Sequence, residues 1–160
     1  MKTIPLTRNK IAFIDDEDYE LVSKYKWLAL KSKKSFYAAT YITIGYKQKQ
    51  CLLMHHLILN VDTNQMIDHK NNDSLDNRKQ NLRFCTNQQN QQNQKPRGGS
   101  SKYKGVTWHK RVNKWSARIS LDGTTYNLGY FDNEEDASLA YDLKAIELFG
   151  DFAKTNLEDK

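Results

Sequence analysis

The sequence predicts an α+β protein made of two small modules, and three observations carry this prediction. Only 38% of the 160 residues are hydrophobic, which is little for one large core and favours two small ones. Short β-prone segments recur along the chain, whereas one segment near the C-terminus has helical spacing. Residues 87–95 (NQQNQQNQK) and the following PRGGSSK are polar and rich in turn formers, as is typical of a linker. We therefore predict modules at residues 1–95 and 102–158, joined by a linker at residues 96–101.

The N-terminal module is predicted to be β-rich with short helices. Residues 11–14 (IAFI) are predicted to form a strand. Asp15 or Asp16 is predicted to cap a helix that runs to Tyr25, because negative charge stabilises a helix N-terminus. Residues 36–44 (FYAATYITI) are strongly β-prone, and a turn at residues 45–47 predicts a hairpin to a strand at 51–54.

The C-terminal module is predicted to be a small three-stranded antiparallel sheet packed on one helix. Residues 103–109, 115–121 and 125–130 alternate like strands, and Asp122-Gly123 is typical of a hairpin turn. Asp132 and Glu135 predict a capping box at the helix start, and Gly150 predicts the helix end. The helix face predicted to lie on the sheet comprises Ala137, Ala140, Tyr141, Lys144, Ala145 and Leu148. The large side chains predicted for the core are Trp115, Phe131, Tyr141, Leu148 and Phe149.

The charge distribution predicts a polyanionic partner. The formal net charge is +6. Residues 102–118 hold six basic residues and no acidic one, whereas residues 132–159 hold nine acids and two lysines. This pattern predicts a basic sheet face backed by an acidic helix.

Several classes of protein are excluded by composition. Two cysteines, Cys51 and Cys85, are too few for a disulfide scaffold or a four-cysteine zinc site. No apolar signal segment follows Met1, and no stretch approaches the ~20 apolar residues of a membrane span. We therefore expect a cytoplasmic protein that has no membrane partner and keeps both thiols reduced.

Residues 67–90 bring an Asp-His pair together with several asparagines. Cleaving a phosphodiester needs an activated water and a cation on the scissile phosphate. Asp68 and His69 supply a hard oxygen ligand beside an imidazole. In an extended backbone they point to opposite sides, so the carboxylate can face a metal while the imidazole faces the water. An asparagine further on can offer Mg²⁺ a second oxygen.

The spacing of these residues resembles that of HNH endonucleases, especially the phage and intron-encoded homing members, which have the ββα-metal fold. Their pattern is Asp-His, an Asn twelve residues after the His, and a third Asn or His about twenty-one after it. Residues 76–78 (DNR) and 81–83 (NLR) also look like that family. The positions that match the pattern are Asp68, His69, Asn81 and Asn90.

The resemblance implies a role for each matched residue. His69 would be the general base that takes a proton from the attacking water. Asn81 would fix the loop and steady His69 by hydrogen bonding. Asp68 and Asn90 would hold one divalent metal ion, Mg²⁺ or alternatively Mn²⁺, and no small-molecule cofactor is implied.

Two assignments within this segment stay open. Asn87 or Asn93 could take the place of Asn90, because the stretch around it is repetitive. His55 lies in MHHLIL (residues 54–59), which is predicted to be mainly buried, so it is either structural or functional. His56 stands where relatives often have an arginine, which puts a phosphate-clamping role at that position in doubt.

Residues 101–158 carry a second resemblance. The motifs YKGV at 103–106, KWSARI at 114–119, LGYFD at 128–132 and EEDASLAYD at 134–142 occur in order. They are similar to the Apetala-type domain of plant ethylene-response factors, also known fused to HNH homing nucleases. Such domains lay a three-stranded sheet into the DNA major groove.

The resemblance also implies a DNA-contact face. By position it would include Lys104, Thr107, His109, Arg118, Ser120, Thr125 and Asn127. Lys110 and Arg111, near the first turn, could add contacts. Several arginines of the plant pattern are replaced here, so the sequence preference must differ.

Together the two resemblances imply a homing-type, metal-dependent endonuclease that acts on double-stranded DNA, as a monomer or dimer. They place it in the cytoplasm of a bacterial cell or phage-infected host, encoded by a phage or mobile element. The alternative is a DNA-binding regulatory protein with an inactive nuclease module, against which the intact set of four site residues argues. An RNA-binding protein is disfavoured, because the sequence has neither an RNP aromatic motif nor a GXXG loop.

Overall fold

The computed structural model describes residues 1–32, 35–95 and 98–157. It divides into two compact units, Met1–Thr86 and Asn87–Lys160. Both units mix helices with small antiparallel sheets, so the α+β class is confirmed. The predicted linker includes residues 96 and 97, which lie outside the described residues, and the predicted module limits stay a prediction.

The first unit contains three antiparallel sheets. A two-stranded sheet pairs β1 (Lys2–Pro5) with β2 (Ile11–Ile14). A three-stranded sheet has the order β3–β4–β5, with strands Leu28–Ser32, Ser35–Gly45 and Gln48–Leu53. The third sheet is the short hairpin of β6 (Ile67–His69) and β7 (Leu82–Phe84). The strand at residues 11–14 and the hairpin through residues 45–47 are therefore confirmed.

One core holds these sheets together. Helix α2 (Met54–Leu59) follows β5 directly and buries Met54 and Ile58. These side chains pack with Ile14 and Leu82 in the same cluster. Burying such apolar side chains contributes about 1.5–3 kcal/mol each. The core therefore fixes the β6–β7 hairpin, through Leu82, against the rest of the unit.

The helix predicted to run from Asp15 or Asp16 to Tyr25 is wrong in its length and its cap. Residues Asp16–Asp18 form a 3₁₀ turn, and α1 covers only Tyr19–Val22, with no side-chain cap. The Trp27 indole donates to the carbonyl of Val22 at 2.8 Å, which turns the chain into the core at that point. The Asp15 carboxylate instead accepts the backbone N–H of Lys79 at 2.8 Å.

The second unit begins with a short helix, α3 (Asn87–Gln92), followed by a sheet and a long helix. The sheet has the order β10–β9–β8, with strands Thr124–Phe131, Lys114–Leu121 and Val106–His109. Helix α4 (Glu134–Phe149) packs on it through Ala137, Tyr141 and Ala145, all buried. The predicted three-stranded sheet on one helix is confirmed, as are the core positions of the large side chains.

Strand β8 starts three residues later than predicted, because the chain makes a close approach at Gly105. This glycine has φ +75°, and a Cβ on it would lie 2.0 Å from the Tyr141 ring. Glycine alone adopts this conformation at no steric cost. The tight contact between the sheet and α4 therefore depends on Gly105.

The predicted capping box is displaced by one residue. Asn133, not Asp132, is the N-cap of α4, and its Oδ1 accepts the N–H of Asp136 at 2.7 Å. Asp132 lies directly after β10, where its carboxylate pairs with Lys114 at 3.0 Å. The predicted end is confirmed, because Gly150 is the C-cap with φ +51°.

Across the described ranges, no helix is both long enough and apolar enough to cross a membrane.

Candidate active site and nucleic-acid interface

The β6–β7 hairpin presents the Asp-His pair. Asp68 and His69 are the last two residues of β6, opposite Arg83 and Leu82 of β7. Both are buried, with 5% and 6% of their surface exposed. Because neighbours on a strand face opposite sides, the carboxylate and the imidazole point apart.

Asp68 is held by a buried ion pair. Arg83 donates from Nε at 2.8 Å and from Nη2 at 2.7 Å, both to Oδ2 of Asp68. Hydrogen bonds between charged groups are shorter and stronger than neutral ones. The pair therefore compensates the charge of the carboxylate and fixes its orientation.

Asn81 ties together the loop that joins the two strands. Its Oδ1 accepts the N–H of Asn71 at 3.0 Å, and its Nδ2 donates to the carbonyl of Asp76 at 2.7 Å. Its own carbonyl accepts the N–H of Lys70 at 2.9 Å. Asn81 is 6% exposed, so these bonds form away from water and hold the loop in one shape.

Asp76 is the second anchor of this loop. Its carboxylate accepts from Arg78 at 2.7 and 2.6 Å and from the Asn71 amide at 2.8 Å. The hydrogen bond from Arg78 is the main reason that the pKa of Asp76 is below its usual value. The loop between Asp68-His69 and Asn81 is therefore rigid on its polar side.

The His69 ring lies among other rings. The centroid of the His55 ring is 5.1 Å away and that of Tyr37 is 6.2 Å away, both edge-on. Burial lowers the pKa of His69, and a side-chain hydrogen bond with Asn77 raises it by less. Near neutral pH, His69 is therefore an uncharged imidazole, the form that can accept a proton.

His55 and Tyr37 are perturbed by the same environment. Burial, with smaller contributions from His69 and His56, lowers the pKa of His55 to about 3. Burial and the nearby charge of Asp68 raise the pKa of Tyr37. Both side chains therefore stay neutral over the physiological range.

Sequence reasoning missed three members of this site. Arg83 could have been found, because pairing β6 with β7 puts it opposite Asp68 and places opposite charges side by side. Asn77 and Tyr37 gave no such indication, because only the folded chain brings them to His69.

A metal site is not built from protein ligands alone in the described parts of the chain. Among them, no group of three or more His, Cys, Asp or Glu side chains could hold a metal ion. Asp68, the predicted first ligand, belongs to β6, whereas Asn90 lies in α3 of the second unit. The role of Asn90 as a ligand stays a prediction. A single carboxylate suits Mg²⁺, which keeps several waters, better than Zn²⁺.

The second unit carries a polar sheet face turned away from α4. Pairing puts Thr107 opposite Ser116, Arg118 opposite Asn127, and Ser120 opposite Thr125. Because paired residues share a face and alternate residues along a strand lie on the same side, these side chains form one surface. The sheet-face residues predicted from sequence are thus together: Thr107, His109, Arg118, Ser120, Thr125 and Asn127.

Three further predicted contact residues flank this sheet face. Lys110 and Arg111 are exposed in the turn between β8 and β9. Lys104 precedes β8 and is partly buried, and its ammonium group donates to the carbonyl of Gln92. The described surface is therefore basic at its edge and neutral, with hydroxyl and amide groups, near the β9–β10 turn.

Comparison with known proteins covers both units. Over 154 residues, or 95% of this chain, the sequence is 33% identical to an uncharacterized HNH endonuclease, L560, of Acanthamoeba polyphaga mimivirus, and the alignment covers 78% of that protein. A stretch of 62 residues, 38% of this chain, is 50% identical to APETALA2-like protein 2 of Oryza sativa subsp. indica.

The same length is 44% identical to ethylene-responsive transcription factor WRI1 of Arabidopsis thaliana. These plant alignments cover 14% of each plant protein. No family model matches the chain. Because the similarity to the viral protein extends over nearly the whole sequence, the chain belongs to the HNH endonuclease family.

Proposed function

We propose that the chain is a metal-dependent endonuclease that hydrolyses phosphodiester bonds in double-stranded DNA. The observation that carries the proposal is the buried pair Asp68-His69 at the end of β6, with a neutral imidazole and a rigid loop beside it. Family membership supports it from an independent direction. The order of elements β6, β7 and α3 along the chain supports a ββα-metal module.

His69 acts as the general base in this proposal. Its ring is uncharged near neutral pH, and it takes a proton from the water that attacks the scissile phosphorus. General base catalysis of this kind contributes roughly 10²–10⁴-fold in rate. Asn81 acts through the loop, by keeping the backbone around His69 in place.

Asp68 holds the divalent ion in this proposal, with Mg²⁺ preferred and Mn²⁺ as the alternative. Its carboxylate is a hard oxygen donor, which fits such an ion. When bound, the ion supplies charge stabilisation to the phosphate and the leaving oxygen. Arg83 orients the carboxylate and is itself close enough to add positive charge for the phosphate backbone.

The sheet face of the second unit holds the DNA in this proposal. Its similarity to plant DNA-binding domains and its row of exposed donors and acceptors support major-groove contact. Arg118, Lys110 and Arg111 would neutralise phosphates, which contributes affinity but little sequence information. The combination of the two modules supports a homing role and an origin in a phage or mobile element.

One observation favours a second candidate function, a DNA-binding regulatory protein with an inactive nuclease module. The guanidinium group of Arg83 already compensates the charge of Asp68. A metal ion at Asp68 would have to share the carboxylate with it. If the ion pair excludes the ion, only DNA binding remains.

The two candidates are separated by incubating the protein with supercoiled plasmid and Mg²⁺, with and without EDTA. We expect nicked or linear plasmid with Mg²⁺ alone, and no product from the His69→Ala variant. Lys144→Ala is the matched control, because Lys144 lies on α4 and contacts Glu147 at 2.6 Å. Gel shifts without any cleavage by the wild-type protein would favour the regulatory candidate.

A further inference from the structure

Asn77 is fixed in the first unit through both its backbone and its amide. It is 1% exposed, among the most buried side chains described. Its N–H donates to the carbonyl of Phe13 at 2.8 Å, and Phe13 in turn donates to the carbonyl of Leu75 at 2.9 Å. The Asn77 Nδ2 donates to the same Leu75 carbonyl at 3.0 Å. The side chain therefore cannot turn over without losing a buried hydrogen bond.

This anchoring decides which end of the amide faces His69. With Nδ2 committed to Leu75, Oδ1 is the atom that can accept a hydrogen bond. The side chain of Asn77 is a hydrogen-bond partner of the His69 ring. Oδ1 of Asn77 and Nε2 of His69 are both buried, and within the described structure Oδ1 makes no other hydrogen bond.

The other faces of the His69 ring are limited by the rings of His55 and Tyr37, at 5.1 and 6.2 Å. They restrict the tilt of the imidazole but do not choose its tautomer, because neither contact is a hydrogen bond. In a neutral histidine, the hydrogen bond of one ring nitrogen decides which nitrogen carries the proton. That choice is left to Asn77.

We propose that Asn77 is a positioning residue for His69: its Oδ1 accepts the Nε2–H, which leaves the lone pair on Nδ1 to take the proton from water. The inference rests on the proposed nuclease function for its consequence in rate. The hydrogen bond and the tautomer are properties of the protein without DNA.

The first test is nitrogen NMR of the wild-type protein, which distinguishes protonated from unprotonated ring nitrogens. Only four histidines are present, and the His69→Ala spectrum identifies the resonances of His69. We expect a single Nε2–H tautomer at pH 8. An Nδ1–H tautomer, or a mixture of the two, would overturn the proposal whether or not the protein cleaves DNA.

The second test compares Asn77→Leu, which lacks the acceptor, with Asn77→Asp, which keeps an acceptor oxygen in the same place. We expect kcat of the Leu variant to fall at least about 100-fold with little change in KM, since the base is then held in a mixture of tautomers. The Asp variant should restore kcat to within about tenfold and restore the single tautomer.

Circular dichroism shows whether each variant is folded, and if Asn77→Leu is not, the Asp variant and the wild-type spectrum carry the test. A folded Leu variant with wild-type kcat would rule out the positioning role. Loss of DNA cleavage by the wild-type protein itself, with the expected tautomer present, would instead count against the nuclease proposal alone.

Discussion

The two units hold their functional side chains in opposite ways. In the first, Asp68 and His69 are 5% and 6% exposed, and each has a specific partner. In the second, Arg118 and Thr125 lie exposed on an open sheet face. Burial makes each charge and hydrogen bond matter more, which suits a site that has to orient a base. An open polar face suits the wide, wet surface of a DNA duplex.

The comparison predicts that a charge removed from the first unit costs much stability. Arg83→Met leaves the Asp68 carboxylate buried without its partner, a change that costs about 3–5 kcal/mol. Urea unfolding with EDTA present measures the loss. Arg83→Lys is the matched control and should cost less, because it keeps the charge.

The double variant Asp68→Asn/Arg83→Met should recover part of the lost free energy, since it leaves no buried charge unpaired. If Arg83→Met alone unfolds at the wild-type urea concentration, the ion pair does not contribute to stability, and the contrast between the units is weaker than described.

Acid should destabilise the first unit through His55. Its pKa is about 3 in the folded state and 6.5 without burial, so between these values the unfolded state binds the proton and the folded state does not. Stability is therefore lost as the pH falls below 6.5, by at most about 1.4 kcal/mol per pH unit. His55→Gln should flatten this slope in urea titrations from pH 7 to pH 4. Equal slopes for the two proteins would contradict the assignment.

The sheet face should respond to charge removal in affinity and salt dependence rather than in stability. Arg118→Ala removes one phosphate contact, so the slope of log K against log salt should fall by about one. Fluorescence anisotropy with a short duplex measures it. Lys144→Ala, on α4, is the charge-matched control and should leave the slope unchanged; equal slopes for both variants would place the DNA elsewhere.

The smallest predicted effect distinguishes the two neighbouring residues at the start of α4. Asn133→Ala removes the N-cap and should cost about 1 kcal/mol in thermal or urea unfolding. Asp132→Ala removes only an exposed ion pair with Lys114 and should cost less. The reverse order would show that the predicted capping box at Asp132 was right after all.

Local pattern was enough to predict the regular elements. The alternation of residues 11–14 and 115–121 and the helical face of residues 137–148 each reflect a single element lying on one core. Prediction failed where a distant partner decides the outcome: the helix after Asp15 is cut short where Trp27 bonds to Val22, and the cap moves because Asp132 pairs with Lys114.

The candidate site divides in the same way. Spacing along the chain identified Asp68, His69 and Asn81, which the hairpin and its loop bring together. It could not identify Tyr37 or Asn77, because their contacts with His69 depend on how strands and loops from different parts of the chain pack.

The central claim is that the first unit cleaves DNA and the second unit holds it. The most direct test measures binding and single-turnover cleavage of one duplex with His69→Ala and Arg118→Ala. We predict that His69→Ala binds like the wild type and does not cleave, whereas Arg118→Ala binds more weakly yet cleaves at the wild-type rate once saturated. Wild-type cleavage by His69→Ala, or an equal loss of binding in both variants, would contradict the claim.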